Sequence, residues 1–283
     1  MTRGIIDIHP HIISQDAVRY PSAPLRGKQS EWSRDRPQTF EQLVAEMDAA
    51  GVAKAAIVQA STYYGFDNSY VADSIATNPK RFTGVCTIDV CAPDAISVLE
   101  GWMRRGFSGL RIFTGGATHT NDESLLDDPR SYAVWQYAAD KQLPICVQTG
   151  PPGLPRVRDL LKRFAHTFVV LDHIGRPTLD DGPPYDNARS LFALAEFANL
   201  YLKLTPRSFA LARSGKSTPE AFFGMLVAAF GADHIAFGSN LPANAGPMRA
   251  LVAEAQQGLS SLKQADQMMI LSGTAQRLYP ALA

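Results

Sequence analysis

With 283 residues, the chain has room for one large domain or two small ones. Its 27 basic and 27 acidic side chains cancel, so there is no broad electropositive field to hold nucleic acid. No apolar run approaches the roughly twenty residues of a membrane span, and three cysteines, Cys86, Cys91 and Cys146, have neither the density of a disulfide scaffold nor zinc-knuckle spacing.

Along the chain, short apolar strands alternate with amphipathic helices. The first strand, Ile5–His9, runs into a second histidine at His11. Strand alternation puts Asp7, His9 and His11 on one face, and Ile6 and Ile8 on the other. Two imidazoles facing one space at a strand end begin a metal or proton-transfer site; a core histidine beside a solvated one is the plainer alternative. With a strand starting at Ile5, no signal peptide is expected ahead of it, and a cytoplasmic protein follows. The segment from Ile12 to Gln38 has no pattern of its own and holds Arg19, Tyr20, Arg26, Lys28, Trp32, Arg34 and Arg36. A loop this long reads either as a lid or as packing against neighbouring loops or a second subunit.

Thr39-Phe40-Glu41-Gln42 spells a capping box, and Gly51 closes that helix. A strand follows over Ala55–Ser61, and beyond it Tyr63 and Tyr64 either line a cavity or cover one. The strand Phe82–Asp89 leads to a helix starting at Asp94 and ending at Gly106. The strand Gly109–Phe113 precedes a Gly/Thr/Asn-rich loop with a solvated His119. Strands over Pro144–Gln148, Phe168–His173 and Tyr201–Thr205 come next. Thr218-Pro219-Glu220 then opens a helix stopped by Gly231, and Ile235–Asn240 is the last strand. The pairs Asp127-Asp128 and Asp180-Asp181 read as caps and solvated turns.

Eight strands, each followed by a helix and with no linker between, predict an α/β fold: one (β/α)8 TIM barrel over residues 1–283, with the 12–38 loop at its mouth. A doubly wound open sheet is disfavoured, because no glycine-rich phosphate loop follows the first strand. In a barrel, chemistry collects at the C-terminal strand ends. Polar residues stand there strand after strand: His9 and His11, Gln59 and Ser61, Asp89, Arg111, Gln148, Asp172 and His173, Lys203 and Thr205, Ser239 and Asn240. His166 and His234 precede their strands and belong to the opposite rim. Ser239 lacks the flanks of a hydrolase nucleophile elbow.

Asp7-Ile8-His9-Pro10-His11, Leu171-Asp172-His173-Ile174-Gly175-Arg176-Pro177 and Phe237-Gly238-Ser239-Asn240-Leu241-Pro242 together resemble the amidohydrolase superfamily. The likeness is to the branch containing 2-pyrone-4,6-dicarboxylate lactonase and related sugar and muconolactone hydrolases. It extends over nearly the whole chain, including Gln59-Ala60-Ser61 with Asp67-Asn68, Gly109-Leu110-Arg111, Leu202-Lys203-Leu204-Thr205 and the terminal Gly273-Thr274-Ala275-Gln276-Arg277-Leu278-Tyr279. The resemblance implies lactone hydrolysis in a barrel mouth. It places His9, His11, His173 and position 240 around the scissile carbonyl, and Arg111, Arg176 and Arg207, assisted by Ser61, on anionic groups of the substrate.

Two departures shape the chemistry. Gln148 stands where binuclear relatives need a bridging lysine or histidine, and Asn240 replaces the family's aspartate, which argues against a two-metal site. Two routes remain. His9, His11 and His173 bind one Zn²⁺, which lowers its water's pKa to about 7; or the histidines polarise the carbonyl while His173, with an ordinary pKa of roughly 6.5, deprotonates water. In the first, Asn240 orients the hydroxide or the substrate. Replacing a carboxylate beside Arg111, Arg176, Lys203 and Arg207 favours an anionic, carboxylated or sulfonated lactone. For Arg111, a structural pairing with Asp89 is the alternative role; for Lys203, turned inward, it is a buried ion pair. Metal-dependent decarboxylation of an aromatic acid and a catalytically silent binding barrel are the rival functions. The expected partner is a small-molecule substrate, with the chain a monomer or small homo-oligomer.

Overall fold

The computed structural model describes residues 4–115, 118 and 122–283. Eight strands form one parallel sheet in sequence order: β1 (Ile5–Asp7), β2 (Val52–Val58), β3 (Phe82–Cys86), β4 (Phe107–Phe113), β5 (Ile145–Gln148), β6 (Val169–Leu171), β7 (Leu200–Leu204) and β8 (Ile235–Phe237). At the mouth, β8 meets β1. Ile8 N–H donates to the Phe237 carbonyl at 3.1 Å, and His11 N–H to the Leu241 carbonyl at 2.8 Å. The result is the (β/α)8 barrel.

Both faces of each strand are buried, which is why the strands read as unbroken apolar runs. One apolar layer lies between strands and helices, with Ile57, Leu110, Val147 and Leu202 from the sheet. A second fills the barrel, where Ile6, Ile8, Val58, Val85, Val170 and Tyr201 meet Ala275, Leu278, Tyr279 and Leu282 of the C-terminal segment. Ile6 and Ile8 therefore occupy the interior, not the outer face that alternation predicts. Asp7 instead pairs in register with Ala55 of the outer layer. The ladder ends at Asp7 and the chain bends at Ile8, so the two-residue period does not extend to His9 and His11.

The helix punctuation is largely as read. Thr39 and Gln42 form the reciprocal capping box of Phe40–Ala50, with Gly51 left-handed at its end. The Thr218 side chain accepts from Ala221 N–H, with Pro219 in the first turn. Asp94 precedes its helix, but its side chain makes no cap hydrogen bond. Among the described residues no helix is long and apolar enough to cross a membrane.

Candidate active site

After β1, β2, β6 and β8 the chain leaves the ladder before the functional residue, so His9, His11, Ser61, His173 and Asn240 sit on short connectors above the barrel core, whereas Arg111, Gln148 and Lys203 stand within β4, β5 and β7. The Asp7 carboxylate fixes the first of these: Oδ1 accepts from His9 N–H at 2.9 Å and from Ser239 N–H at 2.8 Å, tying β1 to β8. Gly238 allows the fit, since a Cβ there would stand 2.6 Å from His9 Cβ. After β6, His173, Ile174, Gly175 and Arg176 all have positive φ, between 52° and 70°. Each such non-glycine residue costs about 1–2 kcal/mol. This left-handed turn is strain held where His173 and Arg176 are presented to the mouth.

The three histidines do come together. Ring centroids of His9 and His11 are 4.9 Å apart, and those of His9 and His173 are 5.2 Å apart. Their surroundings differ. The His11 Nδ1 lies 2.7 Å from the Val58 carbonyl, which can only accept, so Nδ1 carries the proton and Nε2 presents a lone pair. His173 Nδ1 lies 2.9 Å from the Thr205 hydroxyl, where either can donate. His9 is fully buried behind the other two, with neither ring nitrogen hydrogen-bonded and Nδ1 3.6 Å from Asp172 Oδ1. Burial first, then the fields of nearby cations, bring His11 and His173 down to about 3 and His9 well below its usual value, so all three are neutral near pH 7.

Asp172 is the buried hub of the site, a role the sequence did not single out. Its Oδ2 accepts from Arg111 Nε at 2.8 Å, and Lys203 Nζ lies 2.7 Å from Oδ1. Burial pushes the Asp172 carboxyl up, but Lys203 and Arg111 outweigh it and hold it well below the carboxylate range. Arg111 thus pairs with Asp172 and not with Asp89, whose Oδ1 caps Cys91 N–H. Lys203 points inward as predicted, into an ion pair beneath the cavity, with Nζ 3.4 Å from the Cys146 thiol.

A cavity of about 530 Å³ opens above this hub. Of the predicted residues, His11, His173, Asn240, Ser61, Arg111, Arg176 and Arg207 line it; His9, Gln148, Lys203 and Tyr63 do not. Gln148 is buried with its Nε2 unpartnered, and its Oε1 sits 3.5 Å from the Thr114 hydroxyl. Tyr63 packs instead with Tyr64, Ala60 and Tyr20. The Ser61 hydroxyl has no hydrogen-bond partner among the described residues. Asn240 is left-handed (φ 52°), and its Nδ2 donates to Asn244 Oδ1 at 2.7 Å, leaving its carbonyl oxygen for a ligand. Arg176 and Arg207 have no hydrogen-bond or ion-pair partner among the described residues, and the Arg176 Nε is buried. Burial, Arg207 and Arg111 lower the Arg176 pKa, and the carboxylates of Asp172 and Glu123 offset only part of this.

The 12–38 segment contributes one residue that the sequence reading did not assign to the site. Trp32 lines the cavity and stacks on the His11 ring, 5.3 Å between centroids and 26° between planes. The surrounding strap is fastened. Ser30 Oγ lies 2.8 Å from Thr62 Oγ1, and Arg36 donates to the carbonyls of Pro242 and Ala243. Away from this cavity, Arg19 pairs with Asp73, Arg26 with Asp122 and Arg34 with Asp35. His119 lies outside the described residues.

A family model described as amidohydrolase matches residues 6–281. The chain belongs to the amidohydrolase family. Solved structures with the same fold include an Acinetobacter baumannii protein assigned as a 2-pyrone-4,6-dicarboxylic acid hydrolase, with citric acid bound. It is 17% identical, with 98% of this chain and 100% of that one covered and a TM-score of 0.73. A Burkholderia multivorans amidohydrolase with bound zinc is 19% identical, covering 98% and 99% at a TM-score of 0.76. A Polaromonas dihydroxybenzoic acid decarboxylase with manganese and an inhibitor is 16% identical, covering 98% and 97% at a TM-score of 0.67. At these identities the likeness establishes the fold that the amidohydrolase shares with them.

A metal on His9, His11 and His173 is testable against this geometry. The unpartnered His9 ring, the lone pair at His11 Nε2 and the closeness of the rings are in its favour. Against it, no three His, Cys, Asp or Glu side chains among the described residues converge as metal ligands. The nearest carboxylate, Asp172, is taken by Lys203 and Arg111, and Asn240 brings no charge. Zinc needs donors about 2.0–2.1 Å from one point, and a dication placed among these rings would stand in the field of Lys203, Arg111 and Arg176. The residues present do not fit a metal ion.

Proposed function

We propose that this amidohydrolase opens the lactone ring of a small carboxylated substrate, with imidazole in place of metal as the activator of water. The observation that carries the reading is one cavity holding two neutral imidazoles beside two guanidiniums, Arg176 and Arg207, that have no hydrogen-bond or ion-pair partner among the described residues. Arginine forks match carboxylates in bidentate geometry, and the cavity has more cationic groups than anionic ones to spare. The citrate in the Acinetobacter relative is in keeping with such a ligand.

The protons can be followed. Water gives one to the His11 lone pair at Nε2 as its oxygen adds to the lactone carbonyl. The oxyanion that forms is stabilised by the Arg111 guanidinium and by His173, whose Nε2 carries hydrogen when Nδ1 accepts from Thr205. As the ring C–O bond breaks, the leaving oxygen recovers the proton from His11. With the tautomer of His11 fixed, we assign the base to His11, and to His173, in the tautomer whose Nδ1 accepts from Thr205, the polarising role, the reverse of the sequence-based expectation for His173. An imidazole with a pKa of about 3 is a weak base in the empty site. Substrate carboxylates bound against the arginines cancel part of the field that depresses it, so binding the substrate itself raises the basicity of His11.

Hydrolysis of 2-pyrone-4,6-dicarboxylate and of a neutral sugar lactone, before and after chelation, tests this reading. Turnover of the dicarboxylate that survives chelation is expected. Preference for the neutral lactone, or activity restored only by zinc, would overturn it. Carbon dioxide release from a hydroxybenzoate would favour the decarboxylase reading, which the Polaromonas relative keeps in view.

A further inference from the structure

A second, smaller cavity of about 200 Å³ lies against the first. Leu25, Phe66, Ile88, Val90 and Leu125 make its lining mainly apolar, with Thr87, Asp89 and Cys91 also on it, and it shares Arg111 and Phe113 with the main cavity. The shared wall is chemically two-sided. The Arg111 guanidinium lies over the Phe113 ring, 5.2 Å from its centroid, and its Nε is tied to Asp172. A cationic and an aromatic side chain thus stand side by side between the two cavities. Phe66, at the side cavity, is 43% exposed. Arg26, whose guanidinium reaches Asp122 at 3.1 Å, stands on the same lining.

We infer that this side cavity is a subsite for an apolar arm of the substrate, a short alkyl chain or single aryl ring carried on the carboxylated ring that the arginines hold. This rests on the anion-binding part of the proposed function. A carboxylate anchored on Arg176 and Arg207 lies in the cavity that Arg111 and Phe113 bound on one side. A substituent directed to that side leaves the charged space and meets carbon. The unassigned breadth of the first long segment acquires a purpose here. It supplies Trp32 to one cavity and Leu25 to the other, so it frames two compartments of different polarity instead of one lid.

Binding of non-reacting carboxylates separates this inference from the hydrolytic reading. Calorimetric titration of benzoate and its meta- and para-alkyl series, methyl to butyl, should give about fourfold tighter binding per methylene in one series, from the ordinary value of burying a CH₂. Leu125→Trp and, as a second filler at the half-buried edge, Leu25→Trp should abolish the gain with chain length and leave benzoate binding unchanged. Benzoate that binds with no gain in either series, or a gain that survives both fillers, overturns the subsite and leaves the anion site standing. Failure of every carboxylate to bind overturns both.

Discussion

At the scale of single residues, the site works through side chains whose partners are few and specific. Among the described residues, Thr205 is the only hydrogen-bonding partner of the His173 ring. Thr205→Val removes it while keeping shape, so kcat on an anionic lactone should fall about tenfold, the worth of one hydrogen bond of roughly 1–1.5 kcal/mol. Thr205→Ser should recover most of the rate. A purely structural Thr205 would instead give an unchanged rate and a lower melting temperature. Arg176→Ala should act on KM, raising it about 10- to 100-fold, because a charge-assisted contact is worth about 1.5–3 kcal/mol. Steady-state kinetics would show this, and the loss should be smaller for a substrate with one carboxylate fewer. The identities of these residues were legible in the sequence, since histidine and arginine at strand ends announce themselves. Their pairings were not. Asp172 was passed over because a carboxylate next to a striking histidine motif gives no sign that its partners stand on β4 and β7.

At the scale of elements, local signals were read where the chemistry is local. The capping box of Phe40–Ala50 depends on residues three apart and is present as spelled. Thr39→Ala should therefore cost about 1 kcal/mol of stability in urea unfolding, with catalysis unaffected. The turn after β6 is the opposite case. Nothing in Asp172-His173-Ile174-Gly175 announces a left-handed run, because the surrounding packing imposes it. Gly175→Ala adds a Cβ about 3.1 Å from the side chains of Leu154 and Leu171 at a φ of +70°. It should destabilise the fold by about 1–2 kcal/mol and lower kcat as well, since the turn carries both His173 and Arg176. Strand alternation misled at β1 for a related reason. A bend at Ile8 resets the period, so Ile6, Ile8 and the two histidines share the barrel interior.

For the whole molecule, the count of eight strands and the recurrence of polar residues at their C-terminal ends were enough to give the barrel. The division of its mouth into a charged and an apolar compartment was not, because it depends on where a patternless segment of the chain settles. The barrel also buries three neutral imidazoles, and that has a consequence for acid stability. His11 and His173 titrate near 3 when folded and near 6.5 when unfolded, so below pH 6.5 the unfolded chain binds more protons. Their contribution to stability is fully present above about 6.5 and is lost as pH falls towards 3. Carboxylates such as Asp172, also depressed in the fold, add to the loss only below about 4. Urea midpoints followed from pH 8 to 4 should already decline between 6.5 and 5. A flat profile there would mean that the imidazoles are not buried as neutral groups.

The most direct test combines the base and the absence of metal in one measurement: single-turnover hydrolysis of 2-pyrone-4,6-dicarboxylate by chelator-treated protein, with and without His11→Gln. A ring-opening rate untouched by chelation, and reduced by two orders of magnitude or more in the variant, is the expected result. A rate that vanishes on chelation and returns with zinc, or that survives the loss of the His11 imidazole, would contradict it.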